Sequence, residues 1–484
     1  MTRPLAREAA ITMTVPGART PLETEPTARA ELNDNLALVV DGISRWMSQF
    51  GAFEPHPATT IHADQLDDAL HELIGRLEDN YPFFHPRYAG QMLKPPHPVS
   101  VIGYLAAMLI NPNNHALDGG PATAQMEKEV VAQLAAMFGY GTDFLGHLTS
   151  SGTIANLEAL FVARETHPGK GIAFSADAHY THGRMCHVLG VEGHAVATDA
   201  AGRMDLAALE ELLRTGTVGT VVLTTGTTGL GAVDPVHEAV PLCQRYGARI
   251  HVDAAYGGFF RLIADDSPDG VQAAPFRSIA DCDSVVVDPH KHGLQPYGCG
   301  AVLFKDPQVI RFYTHDSPYT YFTSDELHLG EISLECSRSG AAAAALWVTS
   351  QVLPFTAEGL GRVLRPGRRA ALAWADLLAD SPTLALYQPP ELDIVTYLPR
   401  RASLSDVDRV SAHVLDAGMT RPKEDAVFVA TYSVTAEALA ARGHRITADV
   451  DHGRILRSVL MKPESEQWVD FLHSAIDELA TAAG

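Results

Sequence analysis

The chain has 484 residues, of which 46% are hydrophobic and 30 are prolines, so it is expected to bury a large core in two domains plus an extension. Its formal net charge of −22 argues against nucleic acid or an anionic membrane surface as a partner, because both attract basic faces. The five cysteines are scattered and form no C-x-x-C pair. They indicate neither a disulfide framework nor a metal site, and a reducing, cytoplasmic setting fits them best.

The N-terminal part of the chain is predicted to contain a tail and a helical arm. Residues 1–28 lack the apolar core of a signal peptide and are predicted to form a flexible tail, and no later stretch is apolar enough to span a bilayer. Apolar residues recur with helical spacing over residues 28–50 and 64–77, so residues 29–100 are predicted to form the arm. We expect this arm to pack on a partner subunit, which would make the protein a homodimer.

The rest of the chain is predicted to form a large and a small domain. Residues 101–360 alternate short β-rich runs with helical patterns, which indicates an α/β domain with a large, mostly parallel sheet covered by helices. Residues 361–484 are predicted to form a smaller α+β domain with a closing helix near residues 464–480. The strand candidates are residues 171–175, 220–225, 249–253, 284–288, 300–304, 384–387, 394–398 and 426–432.

A turn rich in small and hydroxyl residues precedes a predicted helix. Ser151, Gly152 and Thr153 come directly before residues 154–164, whose apolar side chains have helical spacing. The free backbone N–H groups and the positive dipole end of such a helix can bind an anion such as a cofactor phosphate. An ordinary helix N-cap explains the same residues, and this segment alone favours that simpler interpretation.

Two strand ends carry a carboxylate and a lysine. Asp253 ends the run Arg-Ile-His-Val-Asp, and Lys291 follows the next predicted strand in Asp-Pro-His-Lys. A partly desolvated lysine amine can form a Schiff base with a cofactor aldehyde, and a buried carboxylate can keep a pyridine nitrogen protonated. Because ligands gather at the carboxyl ends of strands in open α/β sheets, these groups and residues 224–228 are expected to share one crevice. Together they predict a pyridoxal phosphate site.

Several blocks of the sequence resemble the group II pyridoxal-phosphate decarboxylases, which include aromatic amino acid, tyrosine and glutamate decarboxylases. The similarity covers residues 81–355, and residues 81–88 look closest to bacterial tyrosine decarboxylases. The resemblance implies the pyridoxal-phosphate-dependent transferase fold (fold type I), pyridoxal phosphate as cofactor, and active sites at the subunit interface of a homodimer. The blocks that carry it are residues 111–114 and 121–127, the turn at residues 149–153, and residues 251–256 and 288–291.

The resemblance also implies roles for individual residues. It assigns Lys291 as the Schiff-base lysine, Asp253 as the partner of the pyridinium nitrogen, and His179 as the histidine that stacks on the cofactor ring. Tyr319, preferred over Tyr321, is the loop tyrosine expected to protonate the carbanion after carbon dioxide leaves, and His179 is the alternative proton donor. The other cofactor residues that it implies are Ser151, Gly152, Thr153, Thr228, Ala255 and His290. The substrate wall, aromatic in relatives, corresponds to Phe84, Gln91 and Met92, and Asp288 stands where several relatives have Asn.

The expected reaction is decarboxylation of an L-amino acid, with a tyrosine-like substrate favoured, to the amine and carbon dioxide. Decarboxylation coupled to oxidative deamination, which gives an aldehyde and hydrogen peroxide, is an alternative, as is an acidic or modified amino acid substrate. Relatives that follow the oxidative course often lack the loop tyrosine or the stacking histidine, and this chain keeps both. A carbon–carbon lyase would need a basic cluster for a substrate phosphate, and a non-catalytic binding protein would not need an intact Lys291, Asp253 and His179.

Overall fold

The computed structural model describes residues 25–313 and 327–484, and the chain divides into two compact units after Ala52. The first unit contains helix α1 (Glu25–Ser48), which starts slightly before the predicted boundary at residue 28. The second unit opens with helix α2 (Ala63–Leu77), as the spacing of apolar residues predicts. Residues 1–24 of the predicted tail lie outside the described residues, so the expectation of flexibility stays a prediction.

The described residues from Phe53 onward form two sheets and their surrounding helices. The helices are α3 (Pro98–Met108), α4 (Pro121–Phe138), α5 (Gly152–Thr166), α6 (Thr181–Leu189), α7 (Leu206–Arg214), α8 (Val236–Tyr246), α9 (Ala273–Arg277), α10 (Gly340–Val352), α11 (Gly361–Asp380), α12 (Leu404–Thr420), α13 (Ala436–Ala441) and α14 (Val469–Ala482). The strands are β1 (Leu145–Thr149), β2 (Gly171–Ser175), β3 (Gly193–Val196), β4 (Val218–Thr224), β5 (Arg249–Asp253), β6 (Ser284–Val287), β7 (Gly300–Phe304), β8 (Leu384–Gln388), β9 (Ile394–Pro399), β10 (Ala430–Val434) and β11 (Gly453–Val459).

Within the described ranges the larger sheet has seven strands in the order β1-β7-β6-β5-β4-β2-β3. Strands β2 to β6 run parallel, whereas β7 is antiparallel to both of its neighbours. Residues of β4 and β5 are buried along their whole length, as expected for strands covered by helices on both faces. The predicted α/β fold with a large, mostly parallel sheet is therefore confirmed.

The register of the central strands brings their carboxyl ends to one edge of the sheet. Thr224 at the end of β4 pairs with Asp253 at the end of β5, and Asp253 in turn pairs with Val286 near the end of β6. The segment that leads from β6 to Lys291 therefore begins beside Asp253. This shared edge positions the candidate site.

The smaller sheet is antiparallel, in the order β10-β11-β9-β8. The prediction of a strand over residues 426–432 is wrong at its start, because β10 begins at Ala430 and Phe428 instead forms an isolated bridge with Tyr88. The closing helix α14 likewise begins at Val469 rather than near residue 464, because Pro463–Gln467 forms a short 3-10 turn.

Three strands had no counterpart in the sequence prediction. β1 holds the residues leading into the Ser-Ser-Gly-Thr turn, and its apolar residues are interrupted by Gly146 and His147. β3 is four residues long with two exposed positions, and β11 alternates apolar residues with Arg454 and Arg457. Each of these sequences lacks the continuous apolar run by which a buried parallel strand is identified.

No helix among the described residues is both long enough and apolar enough to cross a membrane.

Candidate active site

The turn between β1 and α5 forms one wall of a cavity at the carboxyl ends of the central strands. Ser151 is the N-cap residue, since its Oγ accepts a hydrogen bond from the backbone N–H of Ile154 at 3.3 Å. A Cβ added at Gly152 would lie only 2.5 Å from Oδ2 of Asp288, so a larger residue here would displace the carboxylate that contacts Lys291. The simpler N-cap interpretation is thus correct, and the same helix start also faces the cavity that contains Lys291.

Asp253 ends β5 and is held by two donors from different parts of the chain. Its Oδ2 accepts a hydrogen bond from Nε2 of His182 at 2.9 Å, and its Oδ1 accepts one from the backbone N–H of Ala255 at 3.1 Å. Burial by itself raises the pKa of this carboxyl, but the hydrogen bond and charge of His182, together with Lys291, hold the pKa well below its usual range. Asp253 is therefore a buried, ionised acceptor.

Lys291 follows β6 and is fixed by a neighbouring carboxylate. Its Nζ lies 3.0 Å from Oδ2 of Asp288, whose side chain is 3% exposed. His290 lies beside the same carboxylate, because its Nδ1 contacts the carbonyl oxygen of Cys299 at 2.8 Å and its Nε2 lies 3.5 Å from Oδ2 of Asp288, and burial lowers its pKa. Lys291 is therefore held in the cavity, and 21% of its side chain remains exposed.

His179 lies just before α6 and presents an oriented imidazole. Its Nδ1 accepts a hydrogen bond from the backbone N–H of Thr181 at 3.3 Å and lies 2.6 Å from the hydroxyl of the same residue. Because the backbone group can only donate, a neutral ring carries its proton on Nε2. Burial lowers the pKa of His179, which favours this neutral form near neutral pH.

One cavity of about 250 Å³ brings together all of the cofactor residues that the sequence predicts. Those residues are Ser151, Gly152, Thr153, His179, Thr228, Asp253, Ala255, His290 and Lys291. Their individual roles stay predictions, but the predicted crevice is present.

The predicted substrate residues are not part of this cavity. Phe84 is 46% exposed, Gln91 is exposed, and Met92 packs partly buried against the main core. Tyr319 and Tyr321 lie outside the described residues. The assignments of these residues to substrate binding and proton transfer therefore stay predictions.

Sequence reasoning missed two residues, one beside the cavity and one in its lining. His182 contacts Asp253, and Asn156 links α5 to β5 through its Oδ1, which lies 2.9 Å from Nε2 of His251. The spacing His-Tyr-Thr-His at residues 179–182 was the available signal for His182. Because His182 follows the predicted ring-stacking residue by three positions, at the start of a helix, it could have been expected to lie near the same cofactor.

A second cavity of about 290 Å³ adjoins the first and shares His179, Tyr180 and Thr228 with it. Its distinguishing polar group is Asp177, whose Oδ2 accepts a hydrogen bond from Thr198 at 3.3 Å and whose Oδ1 accepts one from Tyr432 at 3.4 Å. Burial raises the pKa of Asp177. This second cavity places a carboxylate beside the candidate site.

The chemistry of the first cavity fits pyridoxal phosphate. Lys291 would supply an amine for the cofactor aldehyde, the start of α5 would supply backbone donors for a phosphate, and Asp253 would supply an acceptor for a pyridinium N–H. His179 and Ala255 supply a flat imidazole and a small side chain for the ring. Each part of the cofactor thus has a matching group among the residues that line the cavity.

Comparisons with known proteins agree with this geometry. The family model described as "Pyridoxal-dependent decarboxylase conserved domain" matches residues 57–398. The chain is 27% identical to an L-tyrosine decarboxylase of Enterococcus faecium, over 72% of this chain and 74% of that one. It is 27% identical to an L-aspartate decarboxylase of Thermococcus kodakarensis (68% and 84% covered) and to an L-2,4-diaminobutyrate decarboxylase of Acinetobacter baumannii (66% and 69%).

Solved structures share the fold. The crystal structure of an Oryza sativa TDC with PLP and tryptamine superimposes with a TM-score of 0.74 at 19% identity, covering 95% of this chain and 99% of that one. The crystal structure of mouse CSAD gives a TM-score of 0.75 at 20% identity, covering 94% and 99%. Since the family model spans more than half of the chain, this protein belongs to the group II pyridoxal-phosphate-dependent decarboxylases and is an amino acid decarboxylase, a carboxy-lyase that uses pyridoxal phosphate.

Proposed function

We propose that the substrate is an L-amino acid with an aromatic, tyrosine-like side chain, which the protein converts to the amine and carbon dioxide. The named relatives act on tyrosine, aspartate and diaminobutyrate, whose side chains are neutral, anionic and cationic. The charges of the residues that line the cavity distinguish these three classes of substrate. The observation that carries the proposal is the absence of a guanidinium among the described residues that line the Lys291 cavity.

An anionic side chain would need a cationic partner that the described lining does not offer. Lys291 is the one lysine among those residues, and it is committed to Asp288 and the cofactor aldehyde. Recognition of a carboxylate usually relies on the planar, two-pronged donor of arginine. Asp253 and Asp288 also repel a second carboxylate, so an acidic substrate is disfavoured.

Each predicted residue has a distinct task in this reaction. Lys291 would hold the cofactor through its aldehyde, and Asp253 would accept the pyridinium N–H. His179 would pack against the cofactor ring, with its proton on Nε2 because its Nδ1 accepts from the backbone N–H of Thr181. When bound, pyridoxal phosphate supplies the electron sink for the pair left by departing carbon dioxide. Tyr319 returns a proton to the α-carbon, which completes the amine.

A cationic side chain is the second candidate, and Asp177 favours it. This carboxylate is half-buried in the adjoining cavity, next to His179, and receives two hydrogen bonds of more than 3.2 Å. An ammonium group on a short substrate side chain would donate a further hydrogen bond to Asp177 and form an ion pair with it that is partly shielded from water. A diaminobutyrate-like substrate would then be preferred over tyrosine.

One experiment distinguishes the candidates. The cofactor-loaded protein is incubated with tyrosine, aspartate, diaminobutyrate and the other standard L-amino acids, and carbon dioxide, amine and peroxide are measured together. Preference for tyrosine that Asp177→Asn leaves intact supports the proposal. Preference for diaminobutyrate that Asp177→Asn reduces supports the second candidate, and preference for aspartate contradicts both.

The same assay tests the type of reaction. Simple decarboxylation releases amine and carbon dioxide in equal amounts without oxygen uptake. Stoichiometric peroxide with any accepted amino acid would mean that the oxidative course, which gives an aldehyde, is the correct one.

We also propose that the protein acts as a cytoplasmic homodimer. All residues of α2 are exposed, and one face of it carries Leu66, Leu70, Leu73, Ile74 and Leu77. An exposed apolar stripe of this kind is typical of a helix that packs on another chain. A second copy is the simplest partner, and the five cysteines, all unpaired, agree with a reducing compartment. A truncation that starts at Ser100 and still elutes as a stable dimer would contradict the role of the helices.

A further inference from the structure

We propose that His182 is a positioning residue for the reaction: it holds the Asp253 carboxylate in the orientation that binds the pyridine nitrogen of the cofactor. The inference rests on the role of Asp253 as the partner of that nitrogen. His182 does not line the Lys291 cavity, so it would act on the cofactor through Asp253 alone.

The contact between the two side chains is buried and well formed. Nε2 of His182 lies 2.9 Å from Oδ2 of Asp253, and the exposed fractions of the two side chains are 0% and 6%. An ionised carboxylate can only accept, so His182 carries a proton on Nε2 and donates it. Hydrogen bonds to a charged group at this distance are among the stronger ones in proteins.

Two donors fix the carboxylate plane and leave the remaining lone pairs for a ligand. His182 holds Oδ2, and the backbone N–H of Ala255 holds Oδ1. These donors come from α6 and from the turn after β5, so rotation of the carboxylate would break at least one bond. An acceptor fixed in this way needs no reorganisation when a pyridinium N–H arrives.

The same short segment orients the imidazole predicted to stack on the ring. The backbone N–H of His182 donates to the carbonyl oxygen of His179 at 3.1 Å, in the turn that begins α6. One turn therefore sets both the stacking side chain and the residue that orients the nitrogen partner. Movement of this turn would disturb both contacts with the ring.

The surroundings of His182 give no structural reason for an imidazole at this position. Its ring is fully buried and its Nδ1 has no hydrogen-bond partner among the described residues, while the Phe174 ring lies with its centroid 6.0 Å away. Burying a polar nitrogen without a partner costs free energy that an apolar side chain would avoid. The hydrogen bond to Asp253 is the favourable contact that a histidine makes at this position and an apolar side chain would not.

The test compares two forms of the cofactor. Pyridoxal phosphate and its 1-deaza analogue, in which a C–H replaces the ring nitrogen, are titrated into the cofactor-depleted full-length protein, and the absorbance change gives each dissociation constant. We expect wild type to prefer pyridoxal phosphate by about tenfold or more, because only that form bonds to Asp253. In His182→Phe the preference should fall to within about threefold, with little change in affinity for the analogue.

Two further variants keep the test decisive if the phenylalanine variant does not fold. A glutamine amide nitrogen reaches about as far as Nε2 of histidine, whereas that of asparagine is too short. His182→Gln should retain the preference for pyridoxal phosphate and His182→Asn should lose it. Equal loss of affinity for both cofactor forms in His182→Asn would mean a merely structural role and would overturn the inference.

A buried histidine elsewhere supplies the matched control. Nε2 of His147 lies 2.9 Å from Oε2 of Glu158, both side chains are fully buried, and neither touches Asp253. His147→Phe should leave the preference unchanged even where it lowers stability in urea. If wild type itself does not distinguish the two cofactor forms, the role of Asp253 fails and the role of His182 fails with it. If wild type distinguishes them and every His182 variant does so equally, only the role of His182 is wrong.

Discussion

The cofactor end of the site and its substrate end are built in different ways. The cofactor end consists of side chains at the ends of buried strands, such as Asp253, or in turns directly after them, such as Lys291. The substrate end, by contrast, is proposed to include Phe84, which is 46% exposed, and Tyr319, which lies outside the described residues. The described residues thus bring the predicted cofactor residues into one cavity, whereas the described residues proposed for the substrate wall do not line it.

The difference has a physical basis. Strand ends are positioned by the sheet register and by burial on both faces, so their side chains acquire fixed partners within the same chain. Exposed apolar side chains outside the sheet have no such constraint until another surface covers them. Substrate selectivity is therefore expected to depend on the association of two chains, whereas cofactor binding is expected to depend on the fold of the single chain.

Replacement of Lys291 tests the cofactor end most severely. Lys291→Ala should lower turnover by about 10⁴-fold or more, because no other amine in the described lining can bind the cofactor aldehyde. The visible absorbance of the Schiff base should also be lost. Lys305→Ala, which removes an exposed lysine bonded to the carbonyl oxygen of Ala280, is the control and should leave both unchanged. Full activity in Lys291→Ala would reject the site.

Replacement of Tyr319 tests the substrate end. Tyr319→Phe removes the proposed proton donor and should slow formation of the amine by about 10²-fold, while cofactor absorbance stays normal. Peroxide should rise relative to amine, because slower protonation of the α-carbon leaves more time for reaction with oxygen. Tyr321→Phe serves as the control. If Tyr321→Phe slows formation of the amine and Tyr319→Phe does not, Tyr321 is the proton donor instead of Tyr319.

Prediction from the sequence succeeded where a local pattern and the fold demand the same thing. The strands at residues 171–175 and 300–304 were found with correct ends because each contains a continuous apolar run, which indicates burial on both faces. The strand at residues 249–253 was found although Arg249 and His251 interrupt its apolar residues. β1, β3 and β11 contain similar interruptions by glycine, histidine or arginine and were missed. His182 was missed because its role depends on a contact with Asp253, which is distant in sequence and visible only in the folded chain.

The start of β10 illustrates the limit of local patterns. Ala426, Val427 and Val429 are buried and read as a strand, yet Phe428 pairs with Tyr88 in an isolated bridge. Periodicity shows that a segment is buried but does not show which distant segment it meets. The residues proposed for the substrate wall, Phe84, Gln91 and Met92, lie on either side of Tyr88 in the sequence, and their role stays a prediction.

Burial at the cofactor end also predicts a pH-dependent stability. Burial lowers the pKa of His251 to about 3, so this ring stays neutral in the folded protein where it would gain a proton in the unfolded chain. His251 contributes fully to the free energy of unfolding when the pH is above the pKa of about 6.5 that its ring has in the unfolded chain. As the pH falls below that value, the contribution decreases by about 1.4 kcal/mol per pH unit.

The measurement is urea unfolding at fixed cofactor concentration between pH 6.5 and 4.5. His251→Gln should reduce the slope of unfolding free energy against pH by about 1.4 kcal/mol per unit. His187→Gln, at an exposed position in α6, should not change it. Equal slopes for wild type and His251→Gln would mean that His251 is not the group that titrates.

The smallest effect is expected at Phe84, and it bears directly on the comparison between the two ends. Phe84→Ala should raise KM for an aromatic substrate by less than about tenfold, since a half-exposed ring loses only part of its apolar contact. It should leave cofactor affinity unchanged, and Phe53→Ala, at 81% exposure, is the matched control. The KM increase should appear only in protein that elutes as a dimer, because Phe84 does not line the cavity within one chain. An equal increase in dimer and monomer would show that the single chain already forms the substrate wall.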